Sequence, residues 1–205
     1  MNTGLCALSL GVALSCVAGA NAATTLTADP TGLPSDTDLT TFFDGVTLET
    51  ADPTSFGGVG SFIPGTIVAS GDGGSFGGRF SVSFGSSSDA GFGNSGAFVA
   101  TFDELATSVR LDHSFVSGGD FVMQAFDADG VLVATDSVAE FTSPGTFEVS
   151  VTGFSIERVA VFATSDLDDP PLTVSLGPLE WTVPAPGALG VFAAAAVAAS
   201  RRRRA

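Results

Sequence analysis

Between residues 23 and 181 the apolar side chains recur at every second position and never settle into a 3.6-residue period, and this alternation restricts the fold more than any other feature. Phe147, Val149 and Val151 alternate with Thr146, Glu148, Ser150 and Thr152, the pattern of a strand with one buried and one wet face. Phe80-Val82-Phe84, Val109-Leu111-His113-Phe115 and Leu172-Val174-Leu176 repeat it, with shorter versions at Val46-Leu48 and Phe98-Ala100-Phe102. Several such strands separated by turn residues predict an all-β fold, an antiparallel β-sandwich in one domain over residues 23–181. Seventeen of the 18 Phe fall in this stretch and supply its core.

One hairpin reads in detail. Phe121 to Phe126 and Val131 to Ala134 flank Asp127-Ala128-Asp129-Gly130, where Asp129-Gly130 is a tight-turn pair tolerant of positive φ. Asp127 and Asp129 also have the chemistry of calcium ligands, since hard cations take clustered carboxylate oxygens. Asp166, Asp168 and Asp169, ahead of a double proline, pose the same choice between a solvated loop and a Ca2+ site. The turn and loop readings lead, so no cofactor is expected.

Thirteen of the 26 Gly lie between Gly57 and Gly96, which predicts long loops and bulged strands held down by interspersed Phe. Two catalytic or cofactor patterns arise there and fail on context. Gly73-Gly74-Ser75-Phe76-Gly77 fits G-x-S-x-G but leads into strand-like sequence instead of a helix. Gly91-Phe92-Gly93-Asn94-Ser95-Gly96 fits G-x-G-x-x-G, again with alternation after it. The sole histidine, His113, sits on an apolar strand face, where a structural role paired to a backbone carbonyl is expected over general-base chemistry. The chain is therefore not expected to be an enzyme.

Charge separates the middle from the ends. All 22 carboxylates lie between Asp29 and Glu180, against only Arg79, Arg110 and Arg158 and no Lys, a balance of −19. Nucleic acid is excluded as a partner, because phosphate contacts need cations. Residues 1–22 carry no charged side chain, run apolar from Leu5 to Val17 and close on Ala20-Asn21-Ala22, which predicts a signal peptide cut by signal peptidase before Ala23. Both cysteines, Cys6 and Cys16, fall within it, leaving the mature chain without thiols.

The other end, residues 182–205, reads as a second address. Residues 187–200 are small or apolar, about 21 Å as a helix, with Arg201, Arg202, Arg203 and Arg204 following. Counting back to Trp181 gives twenty residues, with Trp at one membrane interface and Arg at the other. Four arginines that cross hydrocarbon only at high cost would stop transfer and hold the inner membrane transiently. With Val183, Pro184, Ala185, Pro186 and Gly187 in front, this order resembles the PEP-CTERM sorting signal, with Ala185 where that motif has Glu. The resemblance implies a Gram-negative exporter, and an exosortase as partner that cuts near the prolines. It also implies a cell-surface or extracellular destination, often in exopolysaccharide or biofilm matrix. The middle is more loosely similar to the jelly-roll ectodomains that such signals carry. The resulting reading is an exported structural or exopolysaccharide-associated surface protein. A carbohydrate-binding module, calcium-dependent or not, is the alternative, and a glycoside hydrolase working with two carboxylates is the third.

Overall fold

The computed structural model describes residues 23–60, 62–70, 78–83, 88–90, 92–93, 96–117, 119–139, 144–153, 155–164 and 173–184. The predicted leader, Ala185, Pro186, Gly187, the Arg201 to Arg204 run, and Asp166, Asp168 and Asp169 lie outside them. Among the described residues no helix is long and apolar enough to cross a membrane. The described residues form thirteen strands: β1 (Ala23–Ala28), β2 (Val46–Ala51), β3 (Thr66–Ala69), β4 (Phe80–Ser83), β5 (Ser88–Ala90), β6 (Phe92–Gly93), β7 (Ala97–Ala106), β8 (Ser108–Ser117), β9 (Phe121–Phe126), β10 (Leu132–Val138), β11 (Gly145–Ser150), β12 (Ile156–Ala163) and β13 (Thr173–Pro184).

They form two antiparallel sheets, as the alternation predicts. One has the order β10-β9-β12-β7-β2; the other runs β11-β8-β13-β4-β3, with β1 and β6 also on β13 and β5 on β4. The last strand organises the larger sheet. One edge of β13 pairs with β8, from Thr173↔Ser117 to Thr182↔Ser108. Its other edge takes β6 at Val174, β4 at Leu176 and β1 from Leu179 to Pro184 in succession. Between Leu176 and Leu179 the register against β8 slips, a bulge that carries Gly177 and Pro178. A Cβ on Gly177 would run into the Arg79 guanidinium and approach Asp112, so a side chain there would require the arginine to move aside.

The alternating apolar positions face one another across the sheets. Val109, Leu111, Phe147, Val149, Leu176, Leu179 and Trp181 from one layer meet Leu48, Phe98, Ala100, Phe102, Met123, Val159 and Val161 from the other in one buried cluster. Two ring contacts bridge the layers, Phe80 to Phe98 at 5.4 Å and Phe102 stacked on Trp181 at 5.4 Å. β12 departs from alternation, with residues 159–163 all buried. It lies centrally in its sheet, and its outer face is covered as well: Phe56 rests on Phe162 at 5.8 Å and on Phe126 at 5.7 Å. The covering segment is a 3₁₀ turn, Pro53–Phe56, started by Asp52, whose carboxylate accepts the Thr54 amide at 2.9 Å. It closes through Gly57 at φ 84°, and at the next residue a Cβ would lie 2.6 Å from Phe162 and 2.8 Å from the Ala163 carbonyl oxygen, so Gly58 lets the turn sit flush.

Two expectations need correction. Trp181 does not mark a membrane interface: it is 1% exposed and part of the core, because the indole completes the inward-facing series Leu179, Trp181, Val183 of β13. The domain accordingly continues past Trp181. Val183 and Pro184, assigned from sequence to the sorting motif, are the buried end of β13, opposite Thr24 and Ala23.

Candidate functional site

The sandwich opens at one end into a cleft of about 300 Å³. The larger sheet builds one wall. Register sets Thr24 against Val183 and Leu26 against Trp181, so these four side chains share a face of the β1–β13 pair, and Pro184 extends it. The smaller sheet builds the other wall from Asp103 and Glu104 near the end of β7 and from Asp44 and Gly45 in the turn that enters β2. The two pieces are tied by the Asp103 amide, which donates to the Gly45 carbonyl at 3.1 Å. Gly45 takes φ 83°, a left-handed conformation that other residues adopt only with strain, and its ideal Cβ position lies 3.5 Å from both Leu26 and the Trp181 ring. A side chain there would be strained and would intrude between the walls.

The chemistry of the cleft is one-sided. Asp44, Asp103 and Glu104 bring three carboxylates, and the lining contains no Lys, Arg or His. The cations of the described fold are engaged elsewhere: Arg110 meets Asp112 at 3.7 Å, Arg158 lies over the Phe126 ring at 5.2 Å, and Arg79 sits beside Gly177. The Trp181 indole N–H is buried without a hydrogen-bond partner among the described residues. Beside the carboxylates stand Leu26, Val183 and Pro184, an apolar wall. Such a cleft can accept hydrogen bonds from hydroxyl or ammonium donors while packing against a carbon-bearing face. Among the described residues no three His, Cys, Asp or Glu side chains are grouped to hold a metal ion.

The residues singled out from sequence go to different places. Val183 and Pro184 line the cleft. Asp127 is committed to its hairpin: one carboxylate oxygen accepts the Asp129 amide at 3.0 Å and the Val131 amide at 2.8 Å, while the Gly130 amide reaches the Asp127 carbonyl at 2.9 Å. Only Gly130 has positive φ, at 76°, so the turn carries one left-handed residue where the Asp129-Gly130 pair suggested two. Asp129 is exposed. His113 faces the core as expected, 2% exposed, with its ring 5.2 Å from Phe147. Among the described residues its Nδ1 has no partner, so the carbonyl partner expected for it is not found there on that nitrogen. Burial lowers its pKa from the ordinary value; the carboxylates of Asp112 and Asp136 oppose the shift and Arg79 adds to it.

Sequence reasoning missed the carboxylate wall. Asp44-Gly45 directly before Val46-Leu48 is a turn signal, and the adjacent acids Asp103 and Glu104 break the alternation after Phe102. Either marks a strand end; neither says that the two ends meet.

No sequence-family profile and no curated protein matches the chain. Solved structures with a similar strand layout include a family 29 carbohydrate-binding module, at 11% identity and TM-score 0.40 over 78% of this chain and 92% of that one. Another is a low-affinity xylan-binding module from Roseburia intestinalis, at 13% identity and TM-score 0.39 over 80% of this chain and 98% of that one.

Proposed function

We propose that this chain is an exported, non-catalytic carbohydrate-binding domain that holds a glycan in the cleft between the β1–β13 pair and the Asp44 and Asp103 turns. The observation that carries the reading is the pairing of carboxylate acceptors with an apolar wall in a cleft at the small end of the range for ligand sites, roughly 300–1,000 Å³. Sugar hydroxyls donate to carboxylates, and the C–H faces of a pyranose ring pack on Leu26 and Pro184. The test is affinity electrophoresis of the full chain through gels containing soluble polysaccharides. Retardation by at least one glycan is expected, with no new reducing ends on prolonged incubation. Unchanged mobility on every glycan would overturn binding, and release of reducing ends would overturn the non-catalytic part.

Delivery belongs to the same proposal: a leader removed before Ala23 and a C-terminal PEP-CTERM-like signal removed at the surface by an exosortase. The described fold suits this arrangement, since Ala23 lies opposite Pro184 in adjacent strands. A cut on each side of that pair leaves every described strand whole. The mass of the protein recovered from the cell surface is expected to begin at Ala23, retain Pro184 and lack Arg201 to Arg204. A product that still carries the four arginines would replace the sorting signal with a permanent anchor.

A further inference from the structure

We propose that β1 is the contact edge of a homodimer, pairing antiparallel with β1 of a second copy so that the larger sheets of the two molecules run on into one another. Other sheet margins are closed by hydrogen bonds within the fold. β3 is capped by residues 36–39: the Leu39 amide donates to the Ile67 carbonyl and the Ala69 amide to the Thr37 carbonyl, both at 2.9 Å. β2 meets Thr40, whose carbonyl accepts the Leu48 amide at 2.9 Å. β10 and β11 close on each other, because the Asp136 carboxylate of β10 accepts the Glu148 amide of β11 at 2.8 Å. β1 borders β13 alone, and among the described residues nothing hydrogen-bonds to its other edge.

Three residues present their backbone there. The Thr182 carbonyl accepts the Thr107 amide, so at this point β13 directs its polar groups toward β8 and away from Thr25, its partner in β1. Thr25 therefore turns its own N–H and C=O outward, and alternation along the strand adds Ala23 and Thr27. Proteins ordinarily blunt such an edge with charge, proline or a bulge. Ala-Thr-Thr-Leu-Thr-Ala has no charge and no proline, and its register against β13 runs without a shift.

That composition selects the partner. In a two-fold antiparallel pairing each cross-strand pair joins Ala, Thr or Leu to Ala, Thr or Leu, so no like charges are opposed although residues 29–180 carry a balance of −19. A second copy also brings a strand already held extended by its own β13, which loses less freedom on pairing than a free peptide does. About 20 Å of shared edge is small for a permanent dimer, so the association is weak and concentration-dependent. Two-fold symmetry sets Thr24 and Leu26 of both copies on one face, so the clefts they line become neighbours. The pairing does not depend on what those clefts bind.

The test is sedimentation velocity of the full chain over a concentration series at low and at high salt. A dimer is expected that grows with concentration and with salt, because acids near the edge, Asp29 and Glu180 among them, repel their counterparts until screened. Thr25→Pro removes an outward N–H, and Thr27→Glu sets like charges into the pairing. Each should weaken dimerisation on the order of tenfold or more, with the strand signal and Trp181 fluorescence of the monomer unchanged. Should proline loosen β1 itself, Thr27→Glu decides, since that side chain is exposed and its backbone donor is kept. A monomer at every concentration overturns the proposal. So does a dimer that both variants leave intact, which is held through another surface or through residues 1–22 or 185–205, and so does a dimer that dissolves as salt rises, which is held by charge. Retardation by glycans in gels is read separately, so loss of the dimer leaves the carbohydrate reading in place.

Discussion

His113 is the buried ionisable side chain whose charge state the fold controls. Above its ordinary pKa of 6.5 it is neutral whether the chain is folded or not, and its burial carries no ionisation penalty. The folded value is lowered, chiefly by desolvation, so as pH falls below 6.5 the unfolded chain takes up the proton first and stability declines until the lower folded value is passed. Melting temperature is therefore expected to drop between pH 6.5 and 5. In His113→Leu that segment of the curve should flatten, and at neutral pH the variant should be no less stable, because it removes a ring nitrogen without a partner. An identical acid slope in both proteins would show that carboxylates alone set it. Asp127 offers a contrasting case. Its side chain accepts two backbone amides, so Asp127→Ala should cost about 1 kcal/mol, a shift of about 2–4 °C in a domain of this size. A chelator should leave the melting temperature where it is; a fall on chelation would make Asp127 a metal ligand.

At the level of elements, the alternating strands were legible in the sequence because each has one wet face. Val46-Leu48 is β2, Phe98-Ala100-Phe102 lies in β7, Val109-Leu111-His113 in β8 and Phe147-Val149 in β11. β12 and β1 were not legible, for opposite reasons. Val159 to Ala163 is buried on both faces, one by the core and one by the turn carrying Phe56, so its period of two is erased. Thr24 to Thr27 is nearly all exposed, and only the pairing with β13 makes it a strand. The cleft was hidden for a related reason: Asp44 and Asp103 are 59 residues apart, and only the strand order brings their ends together. The cover over β12 yields its own expectation. Gly58→Ala would drive a Cβ into Phe162 and two backbone oxygens, so the Pro53–Phe56 turn must lift. A loss of about 1–3 kcal/mol is expected, with faster amide exchange at Val159 to Ala163. Unchanged exchange there would mean that the turn does not hold β12.

For the whole molecule, the order of strands in space makes the end of the chain the keystone of the larger sheet. β13 is bordered by β8 on one edge and by β6, β4 and β1 on the other, so among the described strands its loss leaves the first strand without a partner and β8 with only β11. The core would lose Val174, Leu176, Leu179, Trp181 and Val183 together, and each fully buried side chain of this kind contributes about 1.5–3 kcal/mol. That total rivals the net stability of an ordinary domain, about 5–15 kcal/mol. The pairing of β1 with β13 also joins residues more than 150 positions apart, a long-range closure that slows folding. Folding is thus expected to finish only after residues 173–184 are available. A chain ended after residue 172 should show no cooperative thermal transition, whereas one ended after Pro184 should melt within about 2 °C of the full chain, that being less than 1 kcal/mol. In the longer chain, refolding followed by the fluorescence of Trp181 should move to shorter wavelength in step with the recovery of strand signal by circular dichroism, since the indole becomes buried only when the two sheets close on it. A cooperative transition in the chain lacking residues 173–184 would show that the remaining strands form a domain without their central member.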